Sequence, residues 1–129
     1  MTRRLVFYFY LIFLISCQSN IGEQDPGKAK QLFSDGMKIL NNRISIQSVD
    51  KVKALELNKK AIEKFSDASK ADTSFADPTF FNSECSMYAK DFKNCIYWTS
   101  RLMRLDTSQK NLVFCGDRIK YCNEHLLSK

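Results

Sequence analysis

Apolar residues recur every three or four positions along most of this chain, and no run of alternating β-branched residues appears. Val52, Leu55, Ala61, Ile62, Phe65 and Ala68 fall on one arc of a helix drawn at about 100° per residue. Lys53, Glu56, Lys59, Lys60, Glu63 and Lys64 fall outside it. The pattern predicts an amphipathic helix that starts under a Ser48 or Asp50 cap and runs to Ala71. Before it, residues 29–40 predict a shorter helix with Leu32, Gly36, Ile39 and Leu40 on one side. After it, residues 79–89, 92–105 and 111–127 carry the same spacing. Lys90-Asp91 leaves so little room that the helices on either side must form a tight antiparallel hairpin. Asp106-Thr107-Ser108 ends one helix and offers a cap to the next. The expected fold is all-α, about five helices in antiparallel hairpins.

The start of the chain breaks this pattern. Arg3 and Arg4 precede an unbroken apolar run of eleven residues, 5–15, followed by Ser16 and Cys17. At ~1.5 Å per residue the run covers about half of a ~30 Å hydrocarbon core. That is too short for a comfortable span and suits the apolar region of a signal peptide. The ending Leu14-Ile15-Ser16-Cys17 resembles the cleavage box of bacterial lipoproteins, in which a Leu, a small or aliphatic residue and a small residue precede cysteine. The resemblance implies cleavage before Cys17, a diacylglyceryl thioether on its sulfur and an acylated new N-terminus. It also implies a place in the cell envelope, membrane-anchored on the extracytoplasmic side. Each buried CH₂ contributes ~0.8 kcal/mol, so several acyl chains hold where one does not. Three segments are expected: a leader at 1–16, a lipidated cysteine with a flexible polar tether at 17–27, and one helical domain at 28–129.

Twenty Lys and Arg against fourteen Asp and Glu give a net charge of +6, and loss of Arg3 and Arg4 with the leader leaves +4. The excess is spread along helices. Nucleic acid is not an expected partner, while a weak attraction to anionic head groups fits.

An internal echo links two turns. Ala71-Asp72-Thr73-Ser74 is repeated as Leu105-Asp106-Thr107-Ser108, 34 residues on, and Phe80 and Phe114 share that spacing. With helical hairpins, this is the period of the tetratricopeptide repeat, which the chain resembles. Ala61, Phe65 and Ala68 stand where the family's second helix carries a small residue, an aromatic and a small residue, and Asp72 stands at its acidic turn. Cys95, Thr99, Leu102 and Asp106 occupy those places in the next unit. Gly36 and Gly116 resemble the small residue of the first helix, each four after a leucine, Leu32 and Leu112. The chain departs from the pattern in an extra stretch at 41–48, in Thr73 and Thr107 where proline is usual, and in a last unit of one helix. The resemblance implies a short solenoid of two degenerate units plus a final helix, each unit burying its face against the next.

Beyond Cys17, four cysteines remain: Cys85, Cys95, Cys115 and Cys122, an even number for an oxidising compartment. Cys115 and Cys122 lie seven apart on one helix, about 10 Å along its axis, too far for a bridge. Cys85 and Cys95 flank Lys90 symmetrically, which slightly favours that pair; Cys95–Cys122 with Cys85–Cys115 is the competing pattern. Cys122-x-x-His125 has ligand-like spacing, but no second element supplies ligands, so no metal site is expected. His125 is the only histidine, and no catalytic triad order, carboxylate pair or Gly-rich phosphate loop is visible. The chain reads as a non-enzyme without a cofactor.

Two faces are candidates for binding. Phe114, Arg118, Tyr121 and His125 form a stripe on the last helix almost opposite Leu112, Cys115, Ile119, Cys122 and Leu126, and such aromatics beside cations suit a partner or a second copy. Glu84 sits in the middle of an apolar arc, where a charge needs a partner or an open groove. The repeat resemblance puts Phe81, Glu84 and Tyr88 along such a groove. The function expected is a lipid-anchored, non-enzymatic scaffold that holds a protein or peptide. The alternative is a small disulfide-stapled helical lipoprotein with a structural or inhibitory role and no groove.

Overall fold

The computed structural model describes residues 22–128. The leader, the cleavage box and Cys17 lie outside the described residues, as does most of the tether. Those described form five α-helices and no strand: α1 Pro26–Ile46, α2 Lys51–Ala71, α3 Ala76–Tyr88, α4 Phe92–Leu105 and α5 Gln109–Leu127.

Local chemistry sets the ends. Asp25 caps α1, its carboxylate accepting from the Lys28 backbone N–H at 2.9 Å, and Pro26 follows where a missing N–H costs nothing. Of the two expected caps for α2, Asp50 serves, accepting from the Lys53 N–H at 2.9 Å. Helix α3 begins three residues earlier than expected because Pro78 is tolerated in its first turn. Lys90, at φ 56°, takes the left-handed conformation, and the Asp91 N–H reaches back to the Ser86 carbonyl at 2.9 Å. Asp91 and Ser108 cap α4 and α5. The stretch 41–48, expected as an insertion outside the helix, is mostly its continuation, since nothing in Asn41–Ile46 breaks the ladder. The tether is also shorter than expected. Gln24 Oε1 accepts from the Thr73 N–H at 2.7 Å, and the Asp25 N–H donates to the Ala71 carbonyl at 2.7 Å.

Each helix packs on the next, with α1 and α2 the most closely joined. Side chains also link alternate helices. Phe33 on α1 meets Phe81 on α3 at 5.7 Å, and Phe80 on α3 meets Phe114 on α5 at 5.8 Å. Arg101 on α4 donates to the Ser69 carbonyl on α2 at 3.3 Å. The helices therefore stand in two rows, α1-α3-α5 and α2-α4.

Phe65 is fully buried with Leu40, Ala61 and Cys85, flanked by Phe33, Met37 and Phe81. Gly36 permits this: a Cβ there would stand 2.6 Å from the Phe65 ring. A second cluster joins Phe92, Cys95 and Cys122 with Met87 and Ile96. Val52 and Leu55, expected on the core arc, are 72% and 49% exposed. Asn58 donates to the Cys85 carbonyl at 2.9 Å near the end of α3, so of the residues before it only Ala54 is buried, and Val52 and Leu55 stay in solvent.

Candidate functional site

The two faces expected separately on α3 and α5 meet. Arg118 crosses from α5 to α3, donating through Nη1 to the Ser83 hydroxyl at 2.7 Å and through Nη2 to Glu84 Oε1. Its guanidinium also stacks on Phe114, 4.4 Å from the ring centroid. Ser83 continues inward to the Thr99 hydroxyl at 3.0 Å, and Thr99 lies 3.8 Å from Cys95 Sγ. The charge expected to need a partner has one, and α3, α4 and α5 are held in register by one polar chain.

The α5 stripe expected to point away from the core does so in part. Arg118 is largely covered, while Phe114 and Tyr121 are exposed, at 36% and 44%. Phe114 rests against Phe80, and Tyr121 and His125 rest against Phe92, with ring centroids 6.2 and 5.2 Å away. Within the stripe Arg118 turns toward α3, where its acid Glu84 lies. Of the stripe expected in the core, Cys115 and Cys122 are buried, Leu112 and Ile119 half-buried, and Leu126 exposed. A Cβ at Gly116 would meet nothing within 4 Å. Gly36 has a partner helix to admit, and Gly116 has none among the described residues.

Tyr121 and His125 stack at 3.9 Å, and His125 Nδ1–H donates to the Tyr121 carbonyl at 2.8 Å. With Met87, Tyr88, Lys90 and Phe92 they line a cavity of about 390 Å³ between the C-terminal ends of α3 and α5. A wider recess of about 800 Å³ lies at the start of α1, among Gln24, Asp25, Lys28, Asp67 and Lys70. Phe81, a groove candidate, is instead half-buried among Phe33, Phe65 and Phe80.

All four described cysteines are free and buried. The favoured pair is not the one brought together: Cys85 joins the Phe65 cluster, and Cys95 lies beside Cys122. Burial pushes the Cys85 thiol up to about 11 and the Cys122 thiol up to about 12. Cys115 donates to Asn111 Oδ1 at 3.6 Å and Cys122 to Met87 Sδ at 3.4 Å, so neither sulfur turns toward His125. No group of three metal-ligating side chains forms among the described residues.

Sequence reasoning missed Arg43, whose guanidinium lies 4.0 Å over the Tyr88 ring. The signal was present: carried three residues past Leu40, the arc of Gly36 and Leu40 places Arg43 on the buried side of α1.

No protein-family model matches this chain, and comparison with curated proteins and with solved structures gave no match.

Proposed function

We propose that this protein is a lipid-anchored scaffold of the cell envelope, held on the extracytoplasmic side through Cys17, whose repeat-like helices bind a protein or peptide partner without catalysing a reaction. The junction of α3 and α5 carries the reading, because it brings Tyr88, Tyr121 and His125 around one cavity. Aromatic rings held by packed helices suit recognition, since they bring large contact area at little entropy cost. The like turns at Asp72 and Asp106, and Gly36 under Phe65, support the repeat-like element. The Leu14-Ile15-Ser16-Cys17 box supports the anchor.

The test is in-cell crosslinking followed by capture from solubilised membranes, with the tether intact. Wild type should retain a discrete partner. Tyr121→Ala should lose it while keeping its helical circular dichroism. Cys17→Ser should lose lipid label and accumulate as precursor. Capture unaltered by Tyr121→Ala would remove the cavity from the reading, and a labelled Cys17→Ser product would remove the anchor.

A further inference from the structure

We infer that Arg43 and Tyr88 form the anchor for a carboxylate on an acidic segment of a partner polypeptide, with a neighbouring side chain of that segment entering the cavity beside Tyr88. The inference rests on the scaffold reading and names the chemistry of its ligand.

Arg43 is the anomaly that points to it. The residue is 9% exposed, and its Nε is sealed from solvent without a hydrogen-bond partner among the described residues. None of the ion pairs among those residues involves it. Glu84 lies one turn before Tyr88 and could have answered the charge, but it is taken by Arg118. The face of Tyr88 compensates part of the cost of burying the cation and supplies no anion. A largely buried guanidinium whose Nε has no partner and which has no acid is a standing cost to the fold. Proteins retain such costs where a ligand relieves them.

The surroundings narrow the ligand. A guanidinium presents paired N–H groups that match a carboxylate, and the Tyr88 ring fixes its plane. Tyr88 is shared with the 390 Å³ cavity, whose other walls include Phe92, Tyr121 and His125. Lys90 adds a second cation at the mouth, and no acid lines it. An acidic residue followed by an aromatic or aliphatic one fits this sequence of surfaces. Arg43 falls in the stretch 41–48, where the chain departs from the repeat pattern, so the repeat resemblance assigns it no role.

The test uses the full chain purified from membranes in detergent. The probe is a fluorescent peptide of repeated Glu-Glu-Tyr, read by anisotropy, with a Gln-Gln-Tyr peptide as control. Wild type should bind the first and not the second. Arg43→Met should weaken binding by about tenfold or more, the worth of a charge-assisted pair. Arg43→Lys should fall between them. Melting curves supply the readout that a purely structural arginine would not give: Arg43→Met should melt at the same temperature as wild type or a few degrees higher, because it removes an unpaired buried cation. A lower melting temperature, or failure to fold, would show that Arg43 serves packing and overturn the inference. So would equal peptide binding by wild type and Arg43→Met, or no binding by wild type. Stabilisation of wild type by inorganic phosphate alone, lost in Arg43→Met and matching that by the peptide, would assign the site to a free anion and overturn the peptide. If Arg43→Met captures the membrane partner as wild type does, the scaffold stands and the carboxylate anchor falls.

Discussion

The α1–α2 pair and the α3–α5 half of the molecule are both packed helices, but they are held by different materials. Around α1 and α2 the cohesion is aromatic: Phe33 and Phe65, joined by Phe75 and Phe81 from the start of α3, lie with centroids 5.3 to 5.7 Å apart, closed by the glycine that lets the two backbones approach. In α3–α5 the buried groups are smaller and more polar. Cys95, Cys115, Cys122, Thr99 and Ser83 carry little apolar area, and the chain from Glu84 through Arg118 to Thr99 aligns the helices. Ring burial gives a few kcal/mol per side chain without specifying much. A hydrogen-bonded network gives little net energy but admits one register. The first half therefore reads as the anchor of stability and the second as the part whose geometry is specified in detail, and the cavity lies in the second.

The largest expected effect breaks this comparison directly. Phe65→Ala should cost about 3–5 kcal/mol, because a fully enclosed ring leaves a cavity that its stacked neighbours cannot fill. Phe92→Ala, the matching change in the other half, should fall at the low end of that range. Phe92 borders the cavity, and Tyr121 and His125 beside it are free to shift. Chemical denaturation of both variants gives the two numbers. Equal costs would mean that the halves do not differ in cohesion.

An alkaline titration sharpens the comparison with a smaller effect. Cys85 and Cys122 have native values raised from 9.0 to about 11 and about 12 by burial. Below pH 9 the thiols are protonated in both states, and their contribution is fully present. As pH rises from 9, the unfolded chain loses these protons first, so stability falls progressively and the loss levels off once the native thiols ionise near 11 and 12. Replacing Cys122 by Ala should flatten that fall. The thiols should react slowly with iodoacetamide at neutral pH, and mild oxidation should join Cys95 to Cys122 first. Mass mapping of a Cys85–Cys95 bridge in folded protein would contradict the packing described here.

The fold was more legible than the site, for a physical reason. Helix existence follows from apolar spacing and caps, both written locally, so residues 92–105 came out as α4 to the residue. The end of the first helix is less legible, because its last turns carry Asn41, Asn42 and Arg43 where the apolar spacing stops, although Arg43 is buried. Val52 and Leu55 sit on the expected arc, but no periodicity shows where the neighbouring helix stops. The α5 stripe is legible by its residues, and the inward turn of Arg118 is not, since it depends on Glu84, 34 positions away. The arcs of Cys95 and Cys122 are readable, but the sequence leaves Cys95–Cys122 as one of two competing pairs, since the choice depends on how α4 and α5 cross.

The smallest effect compares one turn in both halves. Asp72 and Asp106 end α2 and α4 in the same extended conformation, and each carboxylate accepts from the N–H of a serine two residues on at 3.0 Å. The Ser74 hydroxyl is the main cause holding Asp72 below the usual carboxylate value of 3.8, and the Ser108 backbone N–H does this for Asp106. A depressed value means that the contribution is present above pH 3.8 and is lost as pH falls through the native value. Both groups are exposed, so each alanine variant should move the urea midpoint only slightly at neutral pH and not at all in strong acid. The two shifts should still differ. Thr73 is also held by Gln24, so the first turn survives the loss of Asp72. Ser108 is itself the cap of α5, so loosening it through Asp106→Ala frees the start of the helix that carries Arg118. Asp106→Ala should therefore shift the midpoint more than Asp72→Ala. The reverse order would mean that the first turn, and not the aromatic core above it, is where the α1–α2 pair gains its firmness.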